Sequence, residues 1–322
     1  KAFMAREGIW KSLDCALTWH PGTANEVVTG TCNSCTQVLY KFRGVAAHAA
    51  GDPENGRSAL DAVELMNIGV NYLREHMKRE CSIHYAMVDG GGLSPNVVQA
   101  HASVLYMVRA VKVKDTLELQ ERVDKCAEGA ALMTGTGFER IFVDGTANTV
   151  PNTTLEKLVY ANLCCVPLPE YTEEEKASAA ELDATCPPSA ELPGQGARYD
   201  REIHAKVCEL SEGGTRYLND FILPFYSGNE FEPGSTDVGD VSWQTPAVQF
   251  NTVCFTAHSP GHSWQNVSAG ASPIGDKGML QASKVLALTA ADLYADPKII
   301  ENAKDELAQR LNGEVYTCPI PE

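Results

Sequence analysis

The stretch SALDAVELMNIGVNYLREHM, residues 58–77, decides the fold of this chain. Its apolar side chains recur every three or four residues, which is the spacing of one face of an α-helix. These positions are Leu60, Val63, Met66, Val70, Leu73 and Met77. Ser58 is placed to cap the first turn, and Asp61 complements the positive end of the helix dipole. The pattern therefore predicts an amphipathic helix that begins after Ser58.

Four β-forming segments and a second amphipathic segment surround this helix. The strands are predicted at residues 37–44, 82–88, 103–111 and 138–143. The second helix is predicted to begin with Asp115 as its cap, and its apolar face carries Leu117, Val123, Cys126, Ala130 and Met133. The order strand, helix, strand, strand, helix, strand is the ferredoxin-like split βαβ arrangement. We therefore predict an α+β domain over residues 28–145.

The flanking segments read as parts of an α/β domain. Helices are predicted over residues 3–13, 154–161, 199–218 and 278–294, and buried strands over 16–21 and 247–257. Residues 170–200 read as a short helix and a mobile loop, and 234–242 as a loop. We assign 1–27 and 146–322 to one α/β domain that the α+β unit interrupts. Because Lys1 enters what reads as a running helix, we expect an upstream segment of this domain to be absent.

The composition of the chain excludes several kinds of partner and location. The 322 residues carry a formal net charge of −16, which argues against nucleic acid or an anionic membrane surface as a partner. No run of 18 apolar residues occurs, so no transmembrane helix is expected. The 11 cysteines are odd in number and irregularly spaced, which favours a reducing, cytoplasmic compartment over a disulfide framework.

Three of the eight histidines occupy positions suited to chemistry. His20 ends a predicted strand and precedes a Pro-Gly turn, at the strand end where ligands favour α/β sheets. His48 is surrounded by small residues over Gly44–Gly51, which would allow a ligand or backbone to approach closely. His262 follows a Pro-Gly turn four residues after His258, and proline excludes a helix there, so only one of the two is expected to act as a loop ligand.

Asp240 lies in a loop that resembles a calcium loop only superficially, because the motif's glycine position and terminal glutamate are absent. A capping role, or a role in supporting a metal ligand from behind, is the better interpretation. Two classes of function remain open on these residues alone. One is a metal-dependent hydrolase, and the other is a binding or regulatory module built on a ferredoxin-like domain.

Several motifs together resemble the M20 family of metallopeptidases and amidohydrolases, over essentially the whole chain. They are Trp19-His20-Pro21, Ala46–Ala50, Gly56–Val63, Gly91–Val98, Ser235–Trp243 and Pro260–Gln265. Ala46–Ala50 and Thr236–Trp243, together with the C-terminal segment Thr317–Pro321, resemble the p-aminobenzoyl-glutamate hydrolase branch of that family. The resemblance implies part of a zinc-peptidase-like catalytic domain with an inserted ferredoxin-like lid and dimerisation domain.

The resemblance also implies roles for single residues. His20 and His262 would be metal ligands for a pair of divalent ions, manganese or zinc. His48 would be catalytic, holding the oxyanion or polarising the scissile carbonyl, typically in a partner subunit's site. Asn96 and Arg109 would recognise the substrate carboxylate, although Arg109 also fits an outward structural position on its strand. Asp240 would support the ligands from behind.

By the same resemblance, the function would be metal-dependent hydrolysis of the amide bond in N-acyl amino acids, p-aminobenzoyl-glutamate or dipeptides. The family's other metal ligands and its general-base glutamate would lie upstream of Lys1. This chain would therefore bind an incomplete set of metal ions or none. A truncated, inactive M20-like dimerisation or binding module is therefore the alternative. The expected assembly is a homodimer through the lid, or a complex with a paired homologous subunit.

Overall fold

Secondary structure covers most of the chain in a computed structural model that describes residues 1–189, 191–194, 200–226, 231–232 and 234–321. The strands are β1 (Ala16–Gly22), β2 (Glu26–Val28), β3 (Thr31–Cys32), β4 (Ser34–Arg43), β5 (Ser82–Asp89), β6 (His101–Ala110), β7 (Gly137–Thr146), β8 (Phe231–Glu232) and β9 (Ala247–Val253). The helices are α1 (Ala2–Arg6), α2 (Ala59–Leu73), α3 (Val113–Thr134), α4 (Thr153–Cys165), α5 (Glu173–Asp183), α6 (Arg201–Leu210), α7 (Val238–Ser242), α8 (Trp264–Gly270), α9 (Pro273–Ala295) and α10 (Pro297–Leu311). None of these helices combines the length and the apolar character that crossing a membrane requires.

The middle of the chain forms a four-stranded antiparallel sheet in the order β5-β6-β4-β7. Helices α2 and α3 pack against each other and against the same face of this sheet. The strands turn every second side chain toward the helices, as the pleat requires. The core between sheet and helices is formed by Val38, Tyr40, Phe42, Val63, Met66, Val70, Val104, Tyr106, Val108 and Val123. The predicted ferredoxin-like order of elements is confirmed.

The ends of this four-stranded unit lie side by side. β4 begins where β7 finishes, and Cys35 is paired with Thr146 across the two antiparallel strands. The chain therefore enters and leaves the unit at one place on its sheet.

The start of α2 agrees with the sequence, whereas the start of α3 does not. Ser58 caps α2 by accepting a 3.1 Å hydrogen bond from the Asp61 amide. The prediction that Asp115 caps the second helix is wrong, because α3 begins at Val113 and has no side-chain cap at Lys112. Val113 is buried, and the helix begins three residues earlier than the capping signal suggests. Asp115 lies in the first turn, where it pairs with Lys78 at 2.6 Å.

A second sheet joins the two flanks of the chain in the order β1-β9-β2. β1 runs parallel to β9, with His20 opposite Asn251, and β2 pairs antiparallel to β9. Helices α4 and α9 cover this sheet, and α10 packs against both helices. Leu155, Leu163, Phe250 and Val285 form the centre of this core.

Several predicted boundaries in the flanks need correction. The helix over 3–13 is divided by Gly8, which has a left-handed backbone, into α1 and a 3₁₀ turn at Ile9–Ser12. The helix over 199–218 ends at Leu210, and the loop over 234–242 contains helix α7. Strand 247–257 ends at Val253. In the predicted mobile loop, residues 190 and 195–199 lie outside the described residues.

Candidate active site

A cavity of about 440 Å³ opens beside the second sheet at the place where His20 lies. Its walls come from β2 and β3, the start of α4, the segment before α7, and β9. Polar side chains contributed by these elements include Glu26, Cys32, Glu156 and Asn251. Parallel pairing of β1 with β9 places His20 at this wall, close to the end of both strands. The cavity has the concave form and convergent polar groups that are typical of a ligand site.

Hydrogen bonding fixes the proton of the His20 ring. Nδ1 lies 2.7 Å from the carbonyl oxygen of Pro21, which can only accept a hydrogen bond. Nδ1 therefore carries the proton, and the lone pair of Nε2 remains available. A histidine that binds a metal has this arrangement, with one ring N–H donated to a carbonyl and the other nitrogen turned to the ion.

Arg109 lines a second cavity of about 400 Å³, together with Gln37 and Asp144. It lies on the face of the four-stranded sheet opposite to α2 and α3, because its neighbour Val108 is buried in the core. Its Nε donates to the Met107 sulfur at 3.1 Å. Ser235 and Thr236 line both this cavity and the His20 cavity, so the two adjoin at this segment.

His48 and Asn96 are brought together on the surface of the four-stranded unit. The amide of Ala49 donates to the Asn96 carbonyl at 3.0 Å, and His48 forms a β-bridge with Val97. Nδ1 of His48 accepts from the amides of Ala50 and Gly51 at 3.2 and 3.0 Å. The proton of the neutral ring therefore lies on Nε2, which is an exposed hydrogen-bond donor.

His262 is exposed in the loop between β9 and α8 and adopts a left-handed backbone with φ of 58°. It is not among the residues that line the His20 cavity. His258 behaves differently, because its ring contacts Asp183 and the Gly214 carbonyl. The His262 side chain is exposed.

Asp240 is completely buried in α7. Its carboxylate accepts a hydrogen bond from the Tyr316 hydroxyl at 2.7 Å and from the Ala147 amide at 3.3 Å. Burial raises the pKa of Asp240 to about 6, although both hydrogen bonds act to lower it. Neither contact is to His20 or His262, so Asp240 holds the backbone at Ala147 and the C-terminal segment at Tyr316.

The metal prediction can be tested against the donor groups that are present. Within the described ranges, no three His, Cys, Asp or Glu side chains form a group that could hold a metal ion. His20 and His262 alone do not complete a dinuclear centre, since each ion needs four or more ligands. The described residues therefore do not fit a complete metal site, and the assignment of the two histidines stays a prediction.

Two further polar residues at the cavities have no counterpart in the sequence predictions. Glu156 is 2% exposed, and burial raises its pKa to about 7. Ser235 has a buried hydroxyl that finds no hydrogen-bond partner in the described part of the chain. A glutamate in the first turn of a helix is ordinary in sequence, so nothing local marks Glu156 as buried.

Comparison with known proteins gives a consistent family. Residues 29–132 match the sequence pattern of an M20 family domain, which is described as "Peptidase dimerisation domain". The chain is 41% identical over 327 residues to a subunit of p-aminobenzoyl-glutamate hydrolase from Escherichia coli (strain K12), covering 100% of this chain and 67% of that protein. It is 26% identical over 318 residues to "Xaa-Arg dipeptidase" of Mus musculus, covering 98% of this chain and 60% of that protein. The chain belongs to the M20 peptidase family.

A solved structure supports the same fold. The crystal structure of a putative aminohydrolase from methicillin resistant Staphylococcus aureus has a TM-score of 0.50 and 12% identity, covering 88% of this chain and 60% of that one. At this identity the likeness concerns the fold alone. The chain thus spans 60–67% of the length of the proteins compared with it.

Proposed function

We propose that this chain is part of a metal-dependent amidohydrolase that cleaves the amide bond of N-acyl amino acids. The observation that carries the proposal is the 2.7 Å contact of His20 Nδ1 with the Pro21 carbonyl oxygen, which directs the ring proton to Nδ1 and leaves the lone pair of Nε2 beside a cavity of about 440 Å³. His20 and His262 would supply metal ligands, and the remaining ligands would come from residues other than those described. The bound ions would activate water and polarise the amide carbonyl. Manganese and zinc are the two candidates.

His48 would act on the carbonyl oxygen. Its Nε2–H is an exposed donor, because backbone amides occupy Nδ1. A neutral donor of this kind stabilises negative charge as it develops on the oxygen in the transition state. Since His48 lies on the four-stranded unit, which we propose to be a lid over residues 28–145, it would reach a site in the same or a partner subunit.

Arg109 and Asn96 would recognise the substrate carboxylate. Arg109 lines the cavity that adjoins the His20 cavity at Ser235 and Thr236, so a ligand in one cavity would extend toward the other. A guanidinium binds a carboxylate with paired hydrogen bonds. A glutamyl product, as in p-aminobenzoyl-glutamate, presents such a group, and the name of the Escherichia coli relative favours it. Asp240 would support the site from behind by fixing Ala147.

The four-stranded unit would also mediate assembly in the cytoplasm. β5 is an edge strand of its sheet and exposes Tyr85, Met87 and Val88, and α2 exposes Ile68 and Tyr72. An edge with apolar side chains is suited to pairing with another chain. The partner would be a second copy or a companion subunit, since the Escherichia coli relative is named as one subunit of its hydrolase.

The decisive experiment measures amide hydrolysis and metal content together. The full-length protein supplied with Mn²⁺ or Zn²⁺ is expected to release p-aminobenzoate from p-aminobenzoyl-glutamate, and His20→Ala is expected to lower both turnover and bound metal. His204→Ala is the matched control, because His204 is exposed on α6 and away from both cavities. Release of product by a metal-free protein would refute the proposal.

The second candidate function is a dimerisation or binding module without hydrolytic activity. It is favoured by the absence of a three-ligand group in the described ranges. This candidate predicts a stable dimer that binds neither ion. Light scattering distinguishes the dimer from the monomer. Val88→Lys is expected to yield monomers, whereas Val315→Lys, which also changes an exposed residue, is expected to leave the dimer intact.

A further inference from the structure

His258 is enclosed between two segments that do not neighbour it in sequence. Its Nδ1 lies 2.7 Å from Asp183 Oδ2, at the end of α5, and its Nε2 lies 2.9 Å from the Gly214 carbonyl oxygen. The side chains of His258 and Asp183 are only 17% and 10% exposed. Asp183 also accepts the backbone amide of His258 at 2.9 Å through its other oxygen.

Both partners of the ring are acceptors. A carbonyl oxygen has no proton to donate, and an ionised carboxylate has none either. A neutral imidazole donates through only one nitrogen, so it would leave the other lone pair facing an oxygen at 2.7 or 2.9 Å. Only the imidazolium, which donates through both nitrogens, satisfies the two contacts.

The charges around the ring agree with this. Burial alone would lower the pKa of His258, but the hydrogen bonds to Asp183 and Gly214 and the Asp183 charge raise it overall. Asp183 is the last residue of α5, where the helix dipole disfavours a carboxylate and a cation is stabilising. A charged His258 therefore balances both the Asp183 carboxylate and the negative end of the α5 dipole.

The loop that carries His262 is held on both sides of that residue. The backbone amide of Ala257 donates to the Tyr217 carbonyl at 2.9 Å, and the side-chain amide of Gln265 donates to the Thr185 carbonyl at 3.3 Å. Between these two anchors, His262 has the left-handed backbone already described. His258 is the link from this loop to both α5 and the Gly214 turn.

We propose that His258 is a positioning residue, held as an imidazolium between Asp183 and Gly214, which fixes the loop over residues 257–265 and so sets the place of the His262 ring. The importance of that ring as a metal ligand rests on the proposed function. The imidazolium and its effect on the loop do not depend on it.

Nuclear magnetic resonance of protein labelled with ¹⁵N-histidine tests both parts without metal or substrate. Two-bond ¹H–¹⁵N correlation spectra, from about pH 6 to about pH 9, distinguish neutral from charged rings. His258→Gln and His262→Gln assign the two sets of signals. We expect both His258 nitrogens to be protonated at neutral pH, and a neutral wild-type ring would overturn the proposal.

Variants then test the positioning role. Asp183→Asn is expected to move the His258 titration to lower pH and to shift the His262 signals, whereas Asp183→Glu, which keeps the charge, is expected to retain more of the wild-type spectrum. Asp89→Asn is the matched control, because it removes the charge from an exposed histidine pair at His101, 3.4 Å away. Unchanged His262 signals in Asp183→Asn would overturn the positioning role.

A Zn²⁺ titration of the same samples separates this inference from the proposed function. Weaker Zn²⁺ binding by His258→Gln than by the wild-type protein supports both the positioning role and the proposed function. If wild-type protein binds no Zn²⁺ while the spectra show the imidazolium and the shifted His262 signals, the proposed function fails and the positioning role stands.

Discussion

The hydroxyl of Tyr316 donates a 2.7 Å hydrogen bond to Asp240, a carboxylate that is completely buried. Tyr316 belongs to the C-terminal segment and Asp240 to α7, so the bond fastens the end of the chain to the core. The folded-state pKa of Asp240 is about 6, above its ordinary 3.8. A raised carboxyl pKa means that the folded state binds the proton more tightly, so this group's contribution to stability falls as pH rises from about 4 to above 6.

Tyr316→Phe is expected to lower the free energy of unfolding by about 1–3 kcal/mol at pH 8, and by less at pH 5. The loss is larger at pH 8 because the ionised carboxylate is then left with one hydrogen bond fewer. Urea unfolding at both pH values measures the difference. Tyr294→Phe, on a side chain that is 88% exposed, is the control. Equal losses at the two pH values would contradict the role assigned to the Asp240 charge.

Glu156→Gln is expected to stabilise the protein at pH 8, by roughly 1–3 kcal/mol. Burial raises the pKa of Glu156 from 4.5 to about 7, with Arg310 opposing the shift. The ionised carboxylate at pH 8 therefore costs the folded state stability relative to the unfolded chain. The gain should disappear as the pH falls below about 4.5, where both states hold the proton. Thermal unfolding across this range measures it. Glu128→Gln, on an exposed face of α3, should change little at any pH.

Gly239→Ala is expected to destabilise the protein by about 3 kcal/mol or more. A Cβ at this position would lie 2.0 Å from the Ala147 carbonyl oxygen, where no atom fits without moving the backbone. Gly129 offers the matched control in α3, because a Cβ there meets nothing within 4 Å. Gly129→Ala should raise stability by about 0.5–1 kcal/mol through helix propensity. Chemical unfolding of the two variants should therefore give shifts of opposite sign.

His48→Ala is expected to lower turnover of p-aminobenzoyl-glutamate by about 10²–10³-fold, if its Nε2–H stabilises the developing oxyanion. The unfolding free energy should change little, because His48 is exposed. His84→Ala, which removes another exposed imidazole from the same unit, serves as the control for activity. Turnover that survives the loss of His48 would remove this residue from the catalytic assignment.

Sequence reasoning succeeds where the structure follows from local periodicity. The apolar spacing of α2 and the alternation along β4 are both consequences of short-range geometry, and the order of the four-stranded unit follows from them. The cap at Ser58 is equally predictable, since the capping contact joins residues three apart.

The remaining features depend on contacts between distant parts of the chain. The sequence predicts a loop at Asp240, but burial and the bond to Tyr316, 76 residues away, hold it within a helix. The pairing of β1 with β9 is likewise non-local, and the sequence predicts no separate helix at α10. His20 and His48 are recognisable as chemical candidates from their sequence neighbours, but which ring nitrogen holds the proton depends on the neighbouring carbonyl and amides.

The adjacency of Cys35 and Thr146 has a consequence for how such a chain can change over evolution. Because the chain enters and leaves the four-stranded unit at neighbouring points, the unit separates β3 from α4 at little more cost in closure entropy than a short turn would. Insertions with adjacent ends are those that a parent domain tolerates best. The same junction is therefore a graft site, where the unit could be deleted, exchanged or diversified while the surrounding scaffold keeps its pairing.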